Sequence, residues 1–196
     1  LLLDVALRPA FVEELLRGIA DHILQTERIL FETCQFDGVA LSDDYGTQRG
    51  MLIAPADWRW LVKPRLAEIY GLAKSHGRTV FHHTCGDVRG FVGDLIEVGL
   101  DILHPIQPEA MDIAQLKRDF GRDLTFCGGV STQDLLPHGT PDDIRRQVRR
   151  LKRDMGRGGG YILEPGITLQ ADIPTENLLA LIEEARAGRP DTQQRA

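Results

Sequence analysis

His83 and Cys85 stand one residue apart where a short apolar run, Thr79 to His82, gives out. In an extended segment residues i and i+2 lie on the same side, so an imidazole and a thiolate at this spacing can converge on one ion. Nitrogen and sulfur donors together suit a borderline-soft metal such as zinc. The spacing alone is equally compatible with a packed strand-end histidine and a small buried cysteine. Asp43 and Asp44 end another apolar run. Neighbouring carboxylates there could act as acid and base once burial raises one pKa, or could simply form a solvated turn or helix cap. His104 and Gln107 follow a third run, with Pro105 and Pro108 stiffening the segment around Ile106-Gln107. Cys127, ahead of Gly128-Gly129, reads as a small buried residue, and the loop or helix-end residues His76 and His138 carry no assignment. The glycines at 128–129 and 158–160 could admit a ligand closely or merely make turns.

These residues sit in a chain of 196 residues, 42% hydrophobic and 27% charged, enough to bury one core. The formal net charge of −6 leaves no basic stripe to track phosphates, so nucleic acid is not an expected partner and a small-molecule substrate is. No stretch approaches the roughly 20 apolar residues of a membrane span, and Leu1-Leu2-Leu3 lacks the pattern of a signal peptide. Three cysteines, Cys34, Cys85 and Cys127, are an odd number. They point to free thiols in a reducing compartment, and the expected location is cytoplasmic.

The elements that must position these groups alternate regularly. Apolar residues at three- and four-residue steps predict a helix from Pro9 to about Leu30. A strand at Phe36 to Leu41 ends in Ser42-Asp43-Asp44. A helix from Pro55 to Ser75 follows, then a strand at Thr79 to His82 and a helix reaching about Val98. Further strands are expected at Asp101 to Leu103, Leu124 to Cys127 and Tyr161 to Leu163. They alternate with helices near Asp112 to Phe120, from Pro141 to about Met155 and from Pro174 to about Ala187. Short apolar strands each followed by a helix are the signature of parallel βαβ units, and strands without polar alternation suggest sheets covered on both faces.

Nearly every strand ends in a polar or glycine cluster, including Glu164-Pro165-Gly166 after the last. Five strands feeding one mouth favour an α/β fold of the (β/α)₈ TIM-barrel type over a doubly wound sheet, whose site gathers at one switch point. Five of eight units would be present, over residues 1–187, with a polar tail at 188–196. The opening helix-like segment and the two open sheet edges of such a partial barrel lead us to expect a longer natural protein.

The chain resembles the uroporphyrinogen decarboxylase superfamily from about Leu3 to Glu184. The resemblance rests on Asp43-Asp44-Tyr45-Gly46-Thr47-Gln48, Pro55-Ala56-Asp57-Trp58 with Lys63-Pro64, and Val80-Phe81-His82-His83-Thr84-Cys85-Gly86-Asp87. It continues in Asp101-Ile102-Leu103-His104-Pro105-Ile106-Gln107, Phe126-Cys127-Gly128-Gly129-Val130, Gly159-Gly160-Tyr161-Ile162-Leu163 and Pro174-Thr175-Glu176-Asn177. It implies a (β/α)₈ barrel of about twice this length by the usual size of such barrels, these strands resembling its fourth to eighth. The superfamily's decarboxylases work without metal or cofactor. Its methyl-transfer members hold zinc through an H-x-C pair and a later Cys, activating a thiol that accepts a methyl group, often from a corrinoid carried by a partner protein. The H-x-C is present here as His83 and Cys85. The Gly-His-Gly of decarboxylases is absent from the stretch Pro165-Gly166-Ile167, and Ile167 stands where the later Cys is expected.

The resemblance therefore implies a zinc-dependent methyltransferase. Its metal ligands would be His83, Cys85 and a substitute, Glu164 or His104, with Asp43 and Asp44 catalytic and Gln48, His104 and Gln107 on the substrate. A decarboxylase of porphyrin biosynthesis is the alternative within the family, although Arg49 and Arg89 are nearly all the strand ends offer to substrate carboxylates. A non-catalytic, truncated barrel is the alternative outside it. At full length a homo-oligomer or a monomer is expected.

Overall fold

The computed structural model describes residues 1–188. Helices α1 (Leu2–Leu7) and α2 (Pro9–Thr33) precede strand β1 (Gly38–Ser42), a small hairpin of β2 (Gly46–Thr47) and β3 (Gly50–Met51), and helices α3 (Pro55–Leu61) and α4 (Lys63–Ser75). The next units are β4 (Thr79–His83) with α5 (Val92–Glu97), and β5 (Ile102–Ile106) with α6 (Ile113–Phe120). They are followed by β6 (Thr125–Val130) with α7 (Leu135–His138) and α8 (Pro141–Asp154), and by β7 (Tyr161–Pro165) with α9 (Thr175–Arg186). The polar tail expected at 188–196 lies, but for Gly188, outside the described residues. No helix among them is long and apolar enough to cross a membrane.

Local chemistry explains the boundaries. Helix α8 opens on a capping box: Thr140 Oγ1 accepts from the Asp143 amide and Asp143 Oδ2 from the Thr140 amide, with Pro141 in the first turn. It buries Ile144, Val148 and Leu151 on one side. The single helix expected from Pro55 to Ser75 is in fact two. The Val62 amide closes α3 onto the Trp58 carbonyl at 2.9 Å, and Pro64 falls in the first turn of α4, where a missing N–H leaves nothing unsatisfied. Strand β5 runs past Leu103 to Ile106, and its register against β6 shifts between these two, where Pro105 cannot donate.

All five main strands are parallel and lie in the order β1-β4-β5-β6-β7, which is also their order in the chain. Each crossover thus moves one strand over in the same direction, and the right-handed rule places the connecting helices on one face. Burial agrees. Val80, His82, Leu103 and Phe126 are 0% exposed beneath the helices. Their alternates Phe81, His83, Ile102, His104 and Thr125 are only half-buried, and Ala40 and Ile162 are exposed. The expectation of strands covered on both faces is corrected accordingly: one face is packed and the other is open. The sheet has no order reversal of the kind that marks a doubly wound fold, in line with a partial barrel.

Among the described residues strands β1 and β7 each pair on one side only, and the open face carries Phe81, Ile102 and Ile162. Unpaired edges and uncovered apolar surface drive association. The 196-residue chain should therefore elute as concentration-dependent oligomers in light-scattering chromatography. A monodisperse, cooperatively unfolding monomer would contradict this.

Glu27 on α2 is 6% exposed, its Oε2 has no hydrogen-bond partner among the described residues, and burial pushes its pKa up to about 7. Between about pH 4.5 and 7 the unfolded chain loses this proton while the folded chain keeps it, so stability falls as pH rises. Above pH 7 the penalty is constant. Glu27→Gln should raise stability by about 1–2 kcal/mol above pH 7 and by almost nothing below pH 4.5, read as denaturation midpoints at both pH values.

Candidate functional site

Register brings the candidate side chains together. Ser42, His83 and His104 are successive partners across β1, β4 and β5, so both imidazoles leave the open face at the same height. Adjacent strands lie about 4.8 Å apart. The rings meet through their Nδ1 atoms at 2.9 Å.

On one side of this pair, Cys85 Sγ lies 3.4 Å from His83 Nε2, and Asp44 Oδ1 lies 3.7 Å from the same nitrogen. Asp44 Oδ1 also accepts the Cys85 amide at 2.8 Å, which ties the two loops together. Zinc bonds of about 2.0–2.3 Å at tetrahedral angles set donor atoms roughly 3.3–3.8 Å apart, so the donor set fits that ion, as do the separations of His83 Nε2 from Cys85 and Asp44. Burial, reinforced by the Asp44 charge, pushes the Cys85 thiol up to about 11.

On the other side, Cys127 Sγ donates to Glu164 Oε2 at 2.9 Å, and His104 Nε2 is 3.8 Å from that oxygen. His104, Cys127 and Glu164 form a second group whose donor atoms lie within 4.8 Å of one another. Burial depresses His104, opposed by the Glu164 carboxylate and aided by His83. The Cys127 thiol is pushed far up, by burial first and then by Glu164.

A layer of interlocking loops carries the first group. The Thr84 hydroxyl accepts the Tyr45 amide at 3.1 Å, and Gln107 Oε1 accepts the Gly86 amide at 2.7 Å. The Asp87 amide donates to the Thr47 carbonyl at 2.8 Å, and the Leu52 amide to the Tyr45 carbonyl at 2.9 Å. Gly46 and Gly86 cross backbone to backbone: a Cβ on Gly86 would lie 2.4 Å from the Gly46 carbonyl carbon, so neither tolerates a side chain. Beneath them, Trp58 stacks on Phe91 at 4.6 Å, Tyr45 meets Trp58 edge-on at 5.6 Å, and Tyr45 stacks on His82 at 5.4 Å. His82 points away from the site. It is fully buried, bonded through Nδ1 to the Tyr70 hydroxyl at 2.7 Å, and depressed by burial to about 4, hence neutral.

The residues singled out from the sequence are thus distributed as follows. His83 and Cys85 meet, and their nearest third donor is Asp44 rather than Glu164, which stands with His104 and Cys127. Asp43 is at the surface, yet partial desolvation raises its carboxyl, with the Asp44 charge adding to this and the Tyr45 hydroxyl opposing it. Gln107 is 2% exposed, and its carbonyl oxygen is committed to the Gly86 loop. Gln48 is exposed in the hairpin turn, and Ile167 is 40% exposed. Arg89 is engaged by Asp87 at 2.7 Å. Cys127, read as a plain core residue, is the donor that sequence reasoning missed. Cys127 pairs with Ile162, two residues before Glu164, so the side chains of Cys127 and Glu164 leave neighbouring strands on the same face.

A family model described as Uroporphyrinogen decarboxylase (URO-D) matches residues 2–188. Two curated proteins named uroporphyrinogen decarboxylase, from two strains of Thermus thermophilus, are each 28% identical over 136 residues. The match takes in 67% of this chain and 37% of theirs. A solved methyltransferase from Methanosarcina mazei superposes with a TM-score of 0.59 at 25% identity, covering 76% of this chain and 41% of that one. The matched segments thus cover less than half the length of these relatives.

Proposed function

The chain belongs to the uroporphyrinogen decarboxylase family, and from that premise we propose that it contributes five units of a (β/α)₈ barrel enzyme acting as a zinc-dependent methyltransferase. The observation that carries the reading is the convergence of Asp44, His83 and Cys85 at the C-terminal ends of parallel strands, where barrel enzymes place their sites. Asp44, His83 and Cys85 would hold the ion. When bound, zinc supplies a fixed positive charge that lowers the pKa of a thiol beside it.

The chain's own groups do the rest. Cys85, whose thiol burial holds protonated in the free protein, would have to give up that proton to serve as a ligand, so zinc uptake would release a proton. On this reading Asp43, its carboxyl raised by desolvation although the Tyr45 hydroxyl donates to it at 3.4 Å, would take the proton of the accepting thiol. Gln48, exposed on the hairpin, would contact the small-molecule substrate. The methyl donor the resemblance implies is a corrinoid carried by a partner protein.

Decarboxylation is the second reading, favoured by the Thermus thermophilus relatives. It calls for cationic partners to the substrate carboxylates. Arg89, engaged by Asp87, is poorly suited to that role.

Metal analysis of the purified protein tests the first reading. About one zinc per chain is expected, and Cys85→Ser should lower that stoichiometry sharply, because a hydroxyl is a poor zinc ligand. Metal-free protein, or unchanged content in the variant, would remove the basis for methyl transfer.

A further inference from the structure

The contact between His83 and His104 joins two nitrogens that cannot both carry hydrogen. A neutral imidazole has one N–H, and a 2.9 Å approach of Nδ1 to Nδ1 needs one donor and one acceptor. If His83 donates, its Nε2 is bare and faces Cys85 and Asp44, while His104 must carry its hydrogen on Nε2, facing Glu164 at 3.8 Å. If His104 donates, the pattern reverses: His104 Nε2 is bare beside Cys127 and Glu164, and His83 Nε2–H faces Asp44 at 3.7 Å. The two ends are nearly symmetrical, each a carboxylate about equally far from an Nε2, and the net charge of the pair is the same in both patterns.

We propose that His104 and Glu164 are positioning residues for His83, and that the Asp44–His83–Cys85 and His104–Cys127–Glu164 groups are alternative, mutually exclusive cation sites coupled through the imidazole pair. The proposal rests on the reading of His83 and Cys85 as metal ligands. A cation on His83 Nε2 requires the bare form of that nitrogen. His83 Nδ1–H then donates to His104, and His104 Nε2–H turns toward Glu164, the carboxylate second partner that metal-bound histidines commonly acquire, here through an intervening ring. The same hydrogen on His104 Nε2 blocks the second group. Each group offers donors of the kinds zinc takes, yet the protein should bind one ion, not two.

The experiment combines zinc titration against a chromophoric chelator with long-range proton–nitrogen NMR of the histidine rings, in the purified full chain with and without zinc. Saturation at one equivalent is expected, with His83 protonated on Nδ1, its Nε2 shifted by the metal, and His104 protonated on Nε2. Glu164→Gln, which weakens the terminal acceptor, should raise the zinc dissociation constant by roughly 10-fold with stoichiometry and the metal-shifted His83 signal unchanged. Two equivalents, a metal shift on His104 Nε2 beside that on His83, or a Glu164→Gln variant with unaltered affinity would each overturn the coupling. Zinc uptake insensitive to Cys85→Ser, or no uptake at all, would overturn the first-site reading and the coupling with it. Uptake that requires Cys85 but leaves His104 protonated on Nδ1 would overturn the coupling alone.

Discussion

Asp43→Asn and Asp44→Asn are each expected to lower turnover by roughly two to four orders of magnitude while leaving the melting temperature close to that of the parent. Both residues are at the surface, where removing a carboxylate usually shifts stability by less than about 0.5 kcal/mol. On the proposed reading their contributions would differ in kind. An amide at 44 still accepts the Cys85 amide but no longer brings a negative donor to the His83–Cys85 pair, so its loss should appear in zinc affinity as well as in rate. An amide at 43 cannot take a proton, so zinc affinity should survive while rate falls. Methyl transfer and decarboxylation, measured beside melting temperature and zinc content, separate these outcomes. Two fully active variants, or two that fail only because they melt early, would make the aspartates structural.

Trp58→Ala carries the largest expected effect on folding. The indole is 0% exposed, lies on Phe91 and meets the edge of Tyr45, whose backbone follows Asp44 directly. Truncating a buried aromatic of this size costs about 3–5 kcal/mol, a large share of what holds an ordinary domain together. Part of that loss should reach the site before global unfolding does, because Tyr45 loses one of its flanking rings. Trp58→Phe, which keeps a ring in the stack, should retain most of the zinc affinity at a smaller cost in stability. Denaturant melts read beside chelator competition would show it. A Trp58→Ala protein as stable as the parent would mean that the stack does not hold the loops.

The alternation of strands and helices was legible because apolar runs and helical periods report burial directly. The approach of His83 and Cys85 was legible because their i, i+2 spacing is a local property of one strand end. Three other features depend on partners that no single segment names. The break at Val62 turns on where Pro64 falls in a helix turn, and a continuous apolar pattern hides it. The hairpin from Gly46 to Met51 is too short for alternation to register. Cys127 becomes a site residue only through Glu164, 37 positions away and one strand over. Gln107 depends on a partner in the same way: its carbonyl oxygen accepts from the backbone of a neighbouring loop, which its place at a strand end does not reveal.

That loop layer has a consequence for amide hydrogen exchange. Segments outside helices and strands normally exchange within seconds, yet the amides of Tyr45, Leu52, Cys85, Gly86 and Asp87 each donate to another part of the same layer. With Gly46 and Gly86 crossed backbone against backbone, neither loop can lift without the other. These amides should therefore show strong, nearly equal protection and lose it together, marking the two loops as one cooperative opening unit rather than a pair of independent flaps.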